Sequence, residues 1–130
     1  MAITQWCVLA ACLMPILTMA AAKASLSRIS RREGGYDNAD PRGWEAKLTG
    51  WPGRAYSAQN NGFEALPLFI AGVLFAQMAG ADQGRIDALA LVFIAARIAY
   101  TWAYLADKAT LRSLIWAVGV AVSIALLAMG

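Results

Sequence analysis

Histidine is absent from the 130-residue sequence, and its two cysteines, Cys7 and Cys12, both lie in one uncharged apolar stretch. With no imidazole, and no thiol near a carboxylate cluster, a transition-metal or haem site has little to be built from. Five positions apart, the cysteines do not stack on one helical face and act as small hydrophobes. Charge is scarce too. Charged residues make up 15% of the chain, and most of them fall within residues 23–54, which leaves long stretches almost without charge. The net charge of +3 is therefore a topology signal and excludes a nucleic-acid footprint. What remains is apolar: 60% hydrophobic residues and a mean hydropathy of +0.54, too high for a soluble domain of this length. The solvent this composition fits is a bilayer.

Four apolar runs, residues 2–22, 56–79, 86–106 and 111–129, each approach the roughly 20 residues that a helix needs to cross the hydrocarbon core. A signal peptide would carry basic residues before a short apolar core. Here Lys23, Arg28, Arg31 and Arg32 follow a full-length one, so the first run reads as a retained span. The second and third linkers are short, which makes consecutive helices antiparallel neighbours. The expected fold is an all-α integral membrane protein, an antiparallel bundle of four transmembrane helices forming a single domain over 1–130. The first linker, 23–55, holds seven Lys and Arg, whereas the turn at 80–84 holds none. The third linker region contributes Lys108 and Arg112. Linkers one and three are thus expected in the cytoplasm and both termini on the opposite side. Within linker one, Gly34-Gly35, Asp40-Pro41 and Trp51-Pro52-Gly53 read as turns, with a short interfacial helix over 44–48 and Trp44 and Trp51 at the headgroup level.

Two charges, Glu64 and Arg97, lie deep inside spans. A charge near the bilayer centre costs about 2.5–3.5 kcal/mol even on the lenient insertion scale, so it persists where it is paired, hydrated or useful. Glu64 is eight residues beyond Tyr56, roughly 12 Å deep at 1.5 Å per residue. Asn61 and Arg54 continue its stripe toward the cytoplasm. In the third span Arg97, Tyr100 and Tyr104 share one face, and Arg97 lies roughly 13–14 Å below Ala106. The matching depths on adjacent antiparallel helices predict a Glu64–Arg97 pair. Such a pair by itself could be glue within the bundle or between subunits. The surplus of polar groups around it favours a cavity open to the cytoplasm. Arg112 and Ser113 open the fourth span at that face, with Trp116 one turn further in. A lone arginine at a helix end usually snorkels to phosphate, yet this one converges with Arg54 and Tyr104. Pro15 and Pro67 lie within spans, and Gly72, Gly80 and many alanines permit close helix packing.

The run RAYSAQNNGFEALPLF over 54–69, with Arg54, Asn61, Glu64 and Pro67 in order, resembles the second-helix signature of the MAPEG family, the membrane-associated proteins in eicosanoid and glutathione metabolism. RIAYTWAY over 97–104, followed by LRS over 111–113, resembles the third helix and the start of the fourth in that family. The likeness implies homotrimers of four-helix subunits, with glutathione as co-substrate held between adjacent subunits near the cytoplasmic face and a lipophilic molecule reached from the membrane lipid. By it, Asn61, Glu64, Arg97, Tyr100 and Tyr104 hold glutathione, with Arg54 and Ser113 counted beside them, and Arg112 is the catalytic residue that activates the thiol. Gln59 and Asn60 stand where the family often has histidine, Tyr100 where some members have histidine, and Trp116 where some have tyrosine.

The implied function is a glutathione-dependent transferase or peroxidase acting on lipophilic electrophiles, in a bacterial inner membrane. The alternative is a non-catalytic lipid- or ligand-binding protein that keeps the pocket without the chemistry. A transporter or proton relay through Glu64 has less support, because one ionisable pair near one face makes no pathway across the membrane.

Overall fold

Each apolar run folds into one helix, and the computed structural model describes residues 1–129. The elements are α1 (Ile3–Ser25), a 3-10 turn (Arg31–Glu33), α2 (Pro41–Ala46), α3 (Gly50–Met78), α4 (Gln83–Leu105) and α5 (Ala109–Ala128). Helices α1, α3, α4 and α5 are all long and apolar enough to cross a membrane. The chain is a multi-pass integral membrane protein, all-α among the described residues.

Helix ends depart from the sequence expectation in linker one. Trp51-Pro52-Gly53 is not a turn but part of the first turns of α3, which starts after Thr49. Proline is tolerated there because the first helical N–H groups have no intrahelical acceptor to lose. Asp40-Pro41 is likewise a helix start. Asp40 Oδ1 accepts from the Gly43 N–H at 3.1 Å and Pro41 takes the first helical position, so α2 spans 41–46 in place of the expected 44–48. Trp44 is buried against the ends of α1 and α3. Its indole Nε1–H donates to the Gly34 carbonyl at 2.9 Å, and its ring meets Tyr36 edge-on. Glu45 is 1% exposed and is held by Lys23 at 3.2 Å and Arg42 at 2.8 Å. These contacts fasten the linker to the ends of α1 and α3, where Met19, Ala22, Trp44 and Ala55 form a small core of their own.

Helix α3 is the hub of the bundle. It packs on α1, α4 and α5, while α1 and α5 lie apart and share no contact among the described residues. Two glycines set its close approaches. A Cβ on Gly62 would lie 2.6 Å from the Pro15 ring of α1, and one on Gly72 would lie 2.7 Å from the Ser123 carbonyl of α5. Between them Phe69 stacks on Phe93 of α4 with ring centroids 3.9 Å apart. At the N-terminal end of α1, Thr4 donates to Asp87, which also accepts from Gln83, and Gln83 exchanges hydrogen bonds with Gln77. This polar network ties α1, α3 and α4 together at the end of the bundle away from linker one.

Candidate functional site

A cleft of about 370 Å³ opens between α3 and α5, with α4 as its floor. That volume lies within the range of small-ligand sites. Its polar end is made by Asn61, Glu64 and Arg97, its apolar end by Leu68, Phe93 and Val120, with Trp116 and Gly119 on the α5 side.

Arg97 is only 6% exposed although it is a cation within a span. Its Nη1 donates to Asn61 Oδ1 at 3.0 Å, and its guanidinium carbon lies 4.2 Å from the centre of the Tyr100 ring. Glu64 does not pair with it. No lysine or arginine nitrogen among the described residues comes within 4.0 Å of the Glu64 carboxylate, which lies on the exposed side of α3 at the cleft wall. The predicted ion pair is therefore corrected to an arginine–amide hydrogen bond. The reason is rotational: Asn61, one turn nearer linker one, points at α4, while Glu64 is carried round toward α5. The neutral amide satisfies the arginine, and the carboxylate keeps its acceptor capacity for something else.

From Arg97 the aromatic faces continue toward the C-terminal end of α4. Tyr100 is buried and meets Tyr104 edge-on at 5.7 Å. Arg112, on the first turns of α5, lies over the other side of Tyr104, 4.3 Å from its ring centre. Asn61, Arg97, Tyr100, Tyr104 and Arg112 thus form one unbroken chain of contacts across α3, α4 and α5. Cations over phenol rings gain about 0.5–2 kcal/mol each, more as water is excluded. Arg54 and Ser113 are not drawn into it. Arg54 Nε donates to the Leu105 carbonyl at 3.2 Å, capping the C-terminal end of α4, where a cation also suits the helix dipole. Ser113 is exposed on the outside of α5.

The sequence profile of the MAPEG family matches residues 3–130, essentially the entire chain. The chain belongs to the MAPEG family. No curated protein and no solved structure matches it. Membership makes this a membrane protein related to glutathione and eicosanoid metabolism, and the resemblance carried by 54–69 and 97–113 is the local expression of a match that covers every span.

In this MAPEG protein the sequence reasoning missed the buried Thr4, Glu45 and Ser123, which have partners, and Gln59, which has one donor without. Gln59 is 5% exposed, and its Nε2 has no hydrogen-bond partner. It faces a second hollow, about 410 Å³, between α1, α3 and the docked linker, next to Lys23, Arg42 and Glu45. An unmade hydrogen bond of that kind costs about 1–3 kcal/mol. Gln59 stands two residues before Asn61, so the helical period turns it roughly to the opposite side of α3, away from the stripe that depth counting picks out. The signal was present only as a polar run of three, Gln59-Asn60-Asn61, on a membrane helix. The cleft's apolar end, with Gly119, was equally invisible, because glycine and valine in a span carry no polar mark.

Proposed function

We propose that this MAPEG protein is a glutathione-dependent transferase or peroxidase for lipophilic electrophiles, working as a homotrimer in a bacterial inner membrane. The observation that carries the reading is Glu64, an unpaired carboxylate on a membrane-depth cleft that it shares with a buried arginine. Glutathione has one ammonium and two carboxylates. Glu64 complements the ammonium and the guanidinium groups of Arg97 and Arg112 complement the carboxylates, as charge-assisted hydrogen bonds require. Tyr100 and Tyr104 fill the space between the two arginines, and Asn61 holds Arg97 in place. Arg54 supports the same end of the bundle as a cap on α4.

A free thiol ionises near pKa ~8.5, so at neutral pH it needs a nearby cation to become a thiolate in quantity. Arg112 is that cation, backed by Tyr104. In the transferase reaction the sulfur forms a bond to an electrophilic carbon and the displaced electron pair takes up a proton. In the peroxidase reaction the thiolate takes the distal oxygen of a hydroperoxide, leaving an alcohol. A second glutathione then releases water and the disulfide.

Linkers one and three lie in the cytoplasm in this reading, where glutathione is available, and both termini lie across the membrane. The homotrimer rests on the family likeness alone, because the exposed apolar residues of α3, among them Phe63, Leu74, Phe75 and Met78, suit lipid tails as well as a second subunit. One observation favours the second reading, ligand binding without chemistry: Trp116 on the cleft wall offers no hydroxyl to protonate a leaving group. The test is the ultraviolet thiolate band of glutathione added to the purified protein, repeated with Arg112→Ala. A band that disappears in the variant supports catalysis. Glutathione that binds without a band supports the second reading, and no binding of glutathione sinks both uses of the cleft for this peptide.

A further inference from the structure

We propose that a third hollow, enclosed by α1, α3 and α4 behind the cleft, holds one buried water that accepts a hydrogen bond from Arg97 and donates to the Ala11 carbonyl and the Thr101 hydroxyl. The inference does not depend on which ligand the cleft takes.

The hollow is small, with about 10 Å³ open to the centre of a water molecule. That is about the least room a single water needs, and too little for an organic ligand. Helix α1 contributes Ala11, Pro15 and Thr18 to its lining, α3 contributes Ala58, and α4 contributes Arg97 and Thr101. Arg97 lines the cleft as well, so its guanidinium is the partition between the two spaces. Nη1 is spent on Asn61. Nη2 lies on the α1 side, because a Cβ on Gly62 that pressed on the Pro15 ring would also stand 3.8 Å from it. A guanidinium has five N–H groups. This one is 6% exposed, and only Nη1 has an acceptor among the described residues. The hollow therefore has a buried donor on its wall.

The other polar groups there are acceptors. Pro15 has no N–H, so the Ala11 carbonyl one turn earlier lacks its intrahelical partner. The Thr18 hydroxyl gives its hydrogen to the Met14 carbonyl at 2.8 Å, and the Thr101 hydroxyl gives its own to the Arg97 carbonyl at 2.9 Å, which leaves each with lone pairs alone to offer. Thr101 Oγ1 also stands 4.0 Å from Met14 Sδ, so it sits at the seam between α4 and α1. An anion would meet these acceptors, and a cation would meet the guanidinium. One heavy atom that both accepts and donates is water. Ordered water is a means by which membrane helices satisfy a carbonyl freed by an interior proline. Here it also holds Arg97 from the side that Asn61 does not reach, which keeps the guanidinium at the cleft wall.

The experiment is reversible unfolding of the full-length protein in mixed micelles, on a double-mutant cycle of Thr101→Val and Arg97→Met. The one hydrogen bond between these residues runs to the main-chain carbonyl of Arg97, which methionine keeps, so hydrogen-bond coupling of the two side chains passes through the water. A bridging water is nearly as good as a direct bond, so Thr101→Val is expected to lower the folding equilibrium constant about three- to tenfold more in the wild-type background than in Arg97→Met. A difference below about threefold overturns the inference.

A second comparison needs no variant of Arg97 and decides the matter where Arg97→Met does not fold. Ala58 is 3% exposed and lines the hollow, so Ala58→Ser puts a hydroxyl, and Ala58→Cys a thiol of similar shape, in the place of the water. The serine variant is expected to have the larger folding equilibrium constant by about threefold or more, because its oxygen takes over the bonds to the guanidinium and the free acceptors. A smaller advantage, or a cysteine variant that is the more stable, means a dry hollow and overturns the inference.

Discussion

If Arg97 depends on Asn61 and not on Glu64, removing each acceptor should cost different amounts. Asn61→Ala deletes the acceptor 3.0 Å from Arg97 Nη1 and leaves a guanidinium that is 6% exposed without that bond. In a soluble core a hydrogen bond to a charged group contributes about 1.5–3 kcal/mol. Within membranes measured side-chain hydrogen bonds average only about 0.6 kcal/mol and reach about 1.7, because the unfolded chain also finds partners in the bilayer. A charged, buried donor belongs at the upper end of the second range, so about 1.5 kcal/mol is expected, roughly a tenfold shift in the folding equilibrium. Glu64→Gln removes no partner from Arg97 and lies on an exposed face, so its cost should stay within about 0.5 kcal/mol. The assay is reversible unfolding in mixed micelles, followed by far-ultraviolet circular dichroism, on a double-mutant cycle with Arg97→Met. The coupling between Asn61 and Arg97 should recover most of the 1.5 kcal/mol, and that between Glu64 and Arg97 almost none. A larger coupling for Glu64 would refute the geometry.

Glu45→Ala is expected to loosen linker one rather than the bundle. Its two cations are partly exposed, at 36% for Lys23 and 65% for Arg42, and rehydrate when the carboxylate goes, so the cost is about 1–2 kcal/mol and not the 3–5 of a fully buried pair. Trypsin cleavage at Arg28, Arg31 and Arg32 should accelerate about 5- to 30-fold, with the helix melting temperature nearly unchanged. Gly62→Val forces a side chain against the Pro15 ring, which a Cβ alone would approach to 2.6 Å, and so separates α1 from α3. Overpacking of this kind costs about 1–3 kcal/mol, and thermal unfolding in detergent should show it. The same Cβ would stand 3.8 Å from Arg97 Nη2, so glutathione affinity should fall with stability.

Local patterns carried a large share of the fold. Long apolar runs with little or no charge revealed all four spans, because hydrocarbon tolerates little else, and the short linkers made neighbours antiparallel. The turn residues of linker one misled. Proline and glycine mark a helix start as readily as a turn, and a packed helix on either side decides which. The candidate site was half legible. Depth counting brought Asn61, Glu64 and Arg97 to one level, and the period of 3.6 put Tyr100 and Tyr104 on the face of Arg97, and both hold in the structure. Arg54 shared its stripe with Asn61 yet was drawn to the carbonyl end of α4, since the C-terminus of a neighbouring helix is not written in the periodicity of α3.

The sequence by itself determined that this is a four-helix membrane protein of the MAPEG family with a band of polar residues at one depth. Composition, run length and period are properties of one helix at a time, and they sufficed for that. Only the tertiary structure decided which acceptor Arg97 takes, that Glu64 is left open on a cleft, that Gln59 is buried without a partner and that Glu45 anchors the linker. Those choices turn on the rotation of each helix about its axis and on close approaches such as Gly62 to Pro15. A period locates a face to within about a quarter turn, whereas a hydrogen bond is decided within a few tenths of an ångström.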